Sequence, residues 1–307
     1  MHTLILSITF SVMVSVFLKL ARRCQVRIEQ AIAMNYVTAC VLCLWLLRPP
    51  LESLGRQTPA AWVLLGLLGV LLPTVFLIMA AAVRQAGIVL SDTAQRLSLV
   101  IPILAAFLVF HEALSGLKGL GILLALGALA CLLRRPASAP ARADARTDML
   151  SDGPAPSDDG PHGATAHKGR LAWLTLLGVW AGYGTIDILF KQMARAGAGF
   201  TSTLLLSFAL AAVLMGLWLL IRRTHWHARS LAAGILLGAL NFSNIYFYIR
   251  AHQTYPANPT LVFAAMNIGV ISIGTLVGAG LFRERLSRTN LAGIGLALAA
   301  IVLLFPR

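Results

Sequence analysis

Ten stretches of about twenty apolar residues dominate the chain, near 2–20, 29–47, 60–83, 87–110, 115–133, 171–193, 199–221, 229–250, 257–282 and 288–305. A bilayer core of about 30 Å takes roughly 20 apolar residues per helix. None of the stretches alternates with period two, as barrel strands do, and backbone in lipid must satisfy its own hydrogen bonds. The expected fold is therefore an all-α membrane protein with ten transmembrane helices. Composition removes the soluble alternative, because only 12% of the 307 residues are charged and 58% are hydrophobic. A water-facing surface would need about twice that share of charge. Four cysteines are too few for a disulfide scaffold. The first stretch lacks a basic leader and a convincing cleavage site, so it reads as a span rather than a signal.

Residues 134–170 break the pattern. They are rich in Pro, Ala, Gly, Ser and Asp and hold no apolar run, which reads as a flexible linker between residues 1–133 and 171–307. Each flanking half carries five spans. The halves also repeat at a constant offset of 172, most clearly where FHEALSGLKGLGILLAL (110–126) matches FRERLSRTNLAGIGLAL (282–298). Lys19/Lys191, Glu112/Glu284, Ser15/Asp187 and Gln95/Asn267 fall at the same offset. With only four lysines in the chain, the polar coincidences carry more weight than the apolar ones. An odd number of spans turns the second copy upside down, giving two inverted five-helix repeats. That architecture is shared by secondary transporters, which bind substrate near the midplane between the halves, and by some channels.

The segment LSLVIPILAAFLVFHEALSGLKGLGILLALGALACLL (97–133) resembles the EamA-type signature of the drug/metabolite transporter superfamily. NIGVISIGTLVGAGLFRERLSRTNLAGIGLALAAIVLL (267–304) repeats it, with Gly274 where the counterpart of Pro102 is expected. The resemblance implies a ten-helix carrier in the cell inner (plasma) membrane. It would move a small metabolite, amino acid, nucleotide sugar or drug by alternating access. It brings no shared catalytic residue, and it specifies fold far better than substrate.

Charges inside a membrane are expensive and mark candidate functional positions. Tyr183, Asp187 and Lys191 fall on one helix face, with Trp180 nearby. Two readings of that face stand open. Asp187 and Lys191 form a neutralised pair with the lysine snorkelling, or Lys191 anchors substrate beside a proton-titratable Asp187. Lys19 matches Lys191 but also begins a basic boundary run. Asp92, Gln95 and Arg96 share a face two turns into the fourth stretch, fitting either a pathway lining or an acid–base clamp. Asn241 and Asn244, with Tyr248 on the same face, fit interhelical hydrogen bonding or substrate contact, and Asn267 is the partner of Gln95. Asn35 and Tyr36 read mainly as packing. Glu112 and Glu284 precede Ser115 and Ser287 and read as carboxylates favouring the starts of the fifth and tenth helices.

No P-loop, GxSxG, HExxH or EF-hand pattern occurs. The expectation is a carrier rather than an enzyme, with no cofactor and no metal. Cys40-x-x-Cys43 lies in an apolar helix and reads as packing. The Gly-x-x-x-Gly spacings at Gly178/Gly182, Gly234/Gly238 and Gly274/Gly278 serve packing within the chain first and a homodimer second. The net charge of +14 resides mostly on short loops and helix ends, as expected of contacts with lipid headgroups rather than nucleic acid. Basic residues favour the loops after odd-numbered stretches, which places the termini outside. Carriers of the resembled kind have both termini inside, so orientation stays open. Lysines and arginines lean towards a small substrate bearing a carboxylate or phosphate, moved with or without protons. A non-transporting receptor or scaffold and a membrane-embedded enzyme are the competing classes.

Overall fold

The computed structural model describes residues 2–23, 26–50, 58–133, 162–195, 199–282 and 288–304. All regular structure among them is helical: α1 (His2–Arg23), α2 (Ile28–Leu42) continued by a π-helical turn (Cys43–Leu47), α3 (Pro59–Leu97), α4 (Val100–Leu108), α5 (Gly116–Leu133), α6 (His162–Arg195), α7 (Phe200–Ile221), α8 (Ala228–Thr254), α9 (Pro259–Phe282) and α10 (Arg288–Leu304). Six of these runs are long and apolar enough to cross a bilayer: Ile28–Leu47, Pro59–Val83, Leu171–Arg195, Phe200–Ile221, Ala228–Thr254 and Pro259–Gly280. Shorter apolar helices cover His2–Leu18, Thr93–Leu108, Gly116–Cys131 and Leu291–Leu304. The chain is a multi-pass membrane protein. Its outer surface agrees, since Leu108, Leu123 and Trp173 are 74%, 68% and 75% exposed. Apolar exposure on that scale is stable only against lipid or another apolar partner.

Two boundaries differ from those expected. α6 begins at His162, inside the segment 134–170 whose composition reads as a linker. Extending an existing helix fixes one residue per added hydrogen bond, so a helix nucleated in the apolar stretch can propagate through polar sequence. The third and fourth stretches form one helical run, α3, starting at Pro59 behind the Thr58 cap, whose hydroxyl accepts from the Ala61 amide at 3.2 Å. The run breaks only at Ser98–Leu99. Pro102 has no N–H to return to the Ser98 carbonyl, and that carbonyl instead takes the tighter bond from the Ile101 amide at 3.0 Å.

α3 nevertheless doubles back along α6. Val75 packs at Gly182, Ile78 at Gly178, and the Thr175 hydroxyl donates to Gln85. Further on, Leu97 lies against Trp180 and Ile101 against Gly184. A straight helix would place Leu97 about 33 Å beyond Val75 at 1.5 Å per residue, yet their partners on α6 are two residues apart. The direction therefore reverses between Gln85 and Leu97, close to where the fourth stretch was expected to begin.

Packing interleaves the two ends of the chain. α1, α2, α8 and α9 form one group, through α1·α8, α2·α8 and α1·α9. α3, α4, α6 and α7 form the other, through α3·α6, α3·α7 and α4·α6. α2·α7, α6·α8 and α4·α9 join the groups, and the antiparallel α5–α10 pair flanks α9. Glycines set the closest approaches. A methyl on Gly238 would stand 2.8 Å from the Asn35 carbonyl oxygen on α2, and one on Gly182 would stand 2.5 Å from Val75 on α3. The expected in-chain role holds for Gly178/Gly182 and Gly234/Gly238, while Gly274 has open space around it.

Candidate functional site

Side chains from both groups enclose a cavity of about 170 Å³ in the middle of the bundle. Its polar lining comes from Ser11 on α1, Gln95 and Arg96 on α3, Ser98 after it, Tyr183 and Asp187 on α6, Asn241, Asn244 and Tyr248 on α8, and Asn267 on α9. Leu72, Val75, Phe76, Phe190 and Met266 supply apolar wall. Apolar walls with a few convergent polar groups are the ordinary make-up of a small-molecule pocket.

Asp187 is the centre of the polar network. The Tyr248 hydroxyl donates to its Oδ1 at 3.0 Å, and the side chain of Asn267 also hydrogen-bonds to it. Asn267 is oriented by a second bond from its Nδ2 to the Phe263 carbonyl at 3.1 Å. Asn244 accepts from the Ser7 hydroxyl at 3.0 Å, and the Asn241 amide donates to Asn35 at 3.2 Å. These asparagines therefore tie α8 to α1 and α2 while also facing the cavity. Tyr248 is further fixed by the edge of Phe190, with ring centroids 6.1 Å apart.

Of the residues singled out from the sequence, Gln95, Arg96, Tyr183, Asp187, Asn241, Asn244 and Asn267 converge on this cavity. Trp180 lies elsewhere on α6, its Nε1 donating to the Leu97 carbonyl at 3.2 Å. Lys191 is one turn beyond the cavity and is 1% exposed. Its ammonium donates to the Pro256 carbonyl at 2.9 Å and stands 5.9 Å from the centre of the Phe110 ring. Its hydrogen bond is thus to backbone, whereas Asp187 is engaged by Tyr248 and Asn267. Lys19 and Asp92 stand on α1 and α3 with their side chains outside the described part of the structure. Ser15 is exposed and bonds to Ser11 of its own helix.

Glu112 differs from its expected role. Ser115 caps α5, accepting from the Lys118 amide at 3.3 Å. Glu112 Oε2 instead accepts from the amide and hydroxyl of Thr260, at 3.0 and 2.6 Å, in the first turn of α9. A carboxylate at a helix start satisfies otherwise orphaned amides wherever the fold brings one, and here the recipient lies 148 residues away. Glu284 and Ser287 are outside the described residues.

No family model matches the chain. A Haemophilus influenzae protein, described as uncharacterized, is 48% identical over 310 residues, spanning 99% of this chain and 98% of its own length. The chain belongs to that protein's family. The kinship runs over nearly the whole chain rather than one part of it. A protein solved by crystallography superposes with a TM-score of 0.63 at 15% identity, over 97% of this chain and 94% of its own. At that identity the likeness is one of fold.

Sequence reading placed Tyr248 on the asparagine face but not among the site residues, and it passed over Ser11, Ser98 and His252. The polar stripe on α8 runs Asn241, Asn244, Tyr248 and His252, and its last member lies beyond the apolar stretch 229–250. α8 continues to Thr254.

Proposed function

We propose that the chain is a secondary carrier of the EamA-type drug/metabolite kind. It would move a small polar solute across the cytoplasmic membrane by alternating access, in a ten-helix fold of two inverted repeats. The observation that carries the reading is the central cavity with Asp187 bonded to Tyr248 across it. About 170 Å³ is the share of roughly six waters in bulk liquid, a space suited to an amino-acid-sized metabolite. Arg96, Asp187 and three asparagines together offer groups for both ends of a zwitterion or for an acid.

The inverted-repeat reading is supported by contacts that interchange at the offset of 172. Phe10 stacks on Phe247 where Gly182 receives Val75, and Ile8 meets Gly269 where Trp180 bonds to Leu97. The moving bodies are then the two interleaved groups of helices rather than the N- and C-terminal halves. Rocking the halves apart would break α3·α6, α2·α8 and α5·α10, all of them extensive interfaces.

Three polar links join the two groups from the central cavity towards one end of the bundle: Asp187–Tyr248, Lys191–Pro256 and Glu112–Thr260. These serve as a gate. Protonation or substrate binding at Asp187 competes with the Tyr248 bond and loosens the innermost link.

Flux in proteoliposomes tests this. A panel of radiolabelled amino acids and small carboxylates should include a solute that accumulates under an inward proton gradient. Asp187→Asn should abolish the accumulation while leaving solute exchange. Accumulation that is indifferent to the gradient and intact in Asp187→Asn would discard proton coupling, and no flux for any solute would discard the carrier reading.

A further inference from the structure

One turn beyond the Asp187–Tyr248 bond, towards the C-terminal ends of α6 and α8, lies a second and larger cavity of about 570 Å³. Among the described residues its charged lining is Lys191, Arg195 and Arg250, with His252 and Gln253 beside them and no carboxylate. Glu112, the acid near Lys191, is occupied by Thr260 and Lys118. Cations at helix C-termini are common, because they complement the negative end of the helix dipole. That accounts for Arg195 and Arg250 at the surface. It does not account for what lies beneath them.

His252 is 1% exposed, and neither of its ring nitrogens has a hydrogen-bond partner among the described residues. Its ring is clamped between Tyr248 and Phe263, with centroids 4.9 and 4.7 Å away. Its orientation is therefore fixed while its polar atoms go unused. Leaving a buried polar atom unpaired carries a desolvation penalty, which a ligand in the adjoining cavity would remove. Lys191 is equally buried and places a second nitrogen at the same wall. The guanidinium of Arg250 is held by Gln253 at 3.1 Å, and that of Arg195 rests on the Phe110 ring at 4.6 Å. Both are thus partly pre-ordered at the rim.

We propose that this cavity is an oxyanion site, in which Lys191, Arg195, Arg250 and His252 bind a phosphate or carboxylate group. The site goes beyond the transport reading and does not depend on it. The same chemistry belongs to a free solute or to the headgroup of an anionic lipid at the bilayer boundary.

The test uses the full chain in nanodiscs of phosphatidylcholine, titrated with inorganic phosphate by calorimetry. Saturable binding is expected. Charge-assisted hydrogen bonds are strong enough that Arg250→Gln, Lys191→Gln and His252→Phe should each weaken it roughly tenfold. Arg222→Gln should not, since Arg222 is exposed and stacks on Trp218 at 5.1 Å, away from the cavity. His252→Phe keeps the ring packing, and exposed Arg250 can be changed without disturbing the core, so loss of binding is separable from misfolding. In discs containing phosphatidylglycerol, unchanged phosphate binding assigns the site to a solute. Competition by that lipid, together with its retention by wild type and loss from Arg250→Gln, assigns it to a headgroup. No saturable binding in phosphatidylcholine discs, or equal affinity in all variants, would overturn the proposal, whatever flux measurements give.

Discussion

The carboxylate of Glu112 accepts two bonds from Thr260 on one oxygen and the Lys118 ammonium on the other at 3.0 Å, almost wholly out of solvent. Removing a buried charged acceptor forfeits about 2–3 kcal/mol, while losing one neutral donor costs about 1 kcal/mol. Glu112→Ala should therefore lower the unfolding midpoint in detergent clearly more than Thr260→Val, as measured by intrinsic fluorescence on heating. Equal effects would mean that the Thr260 hydroxyl accounts for all that Glu112 contributes and the Lys118 pair for none of it. The residue type was legible from the sequence, since an acid three residues before a helix cap belongs near a helix start. The helix it serves was not, because α9 reaches it only through the tertiary fold. The polar residues of the central cavity were legible for a different reason. In an apolar helix a lone Asp, Gln or Asn is conspicuous, and five such residues converge, joined by Arg96 and Tyr183. Lys191 and Trp180 were equally conspicuous and are turned to backbone carbonyls instead, a distinction that periodicity does not carry.

Helices here are positioned by where side chains are missing. A methyl on Gly234 would come within 2.7 Å of the Ala31 carbonyl oxygen, which cannot swing aside as a side chain can. Gly234→Val should separate α2 from α8 and cost about 2–3 kcal/mol by overpacking. Gly216→Ala has open space around it and should be neutral or stabilising by up to about 1 kcal/mol. Thermal unfolding of the two variants checks the contrast, and similar midpoints would refute the close α2·α8 contact. The Gly-x-x-x-Gly spacing announced close approach in the sequence but not the partner helix. The turn between the third and fourth stretches was announced only by Gly87 and the polar residues beside it, too weak a signal to interrupt helical hydrogen bonding. The stronger breaker, Pro102, ends the run later at Ser98–Leu99.

For the molecule as a whole, the proposed gate predicts a directional change in accessibility. A cysteine replacing Phe190, on the wall of the central cavity, should react slowly with a water-soluble maleimide in an otherwise cysteine-free chain. Adding Glu112→Gln should speed that reaction several-fold, on the order of a 1 kcal/mol shift in the closed population. An unchanged rate would show that the Glu112 link does not hold that end shut. Inversion of the repeats has its own test. Cysteines at His2 and Leu171, 169 positions apart and each at the start of the first apolar run of its half, should label from opposite faces of sealed vesicles, and labelling from one face would rule the inversion out.

Interleaving also governs how such a chain is made. α1 and α2 find their main partners in α7, α8 and α9, and α5 finds its own in α10. The first 133 residues therefore leave the translocon with most of their buried faces still turned to lipid. Lipid is as apolar as those faces, so the wait costs little for leucine, but much more for the carboxylate of Glu112, whose Thr260 partner is synthesised last among its contacts. The fold closes late in synthesis, and truncation anywhere before α9 should leave a membrane-inserted chain that is open to quality-control proteolysis.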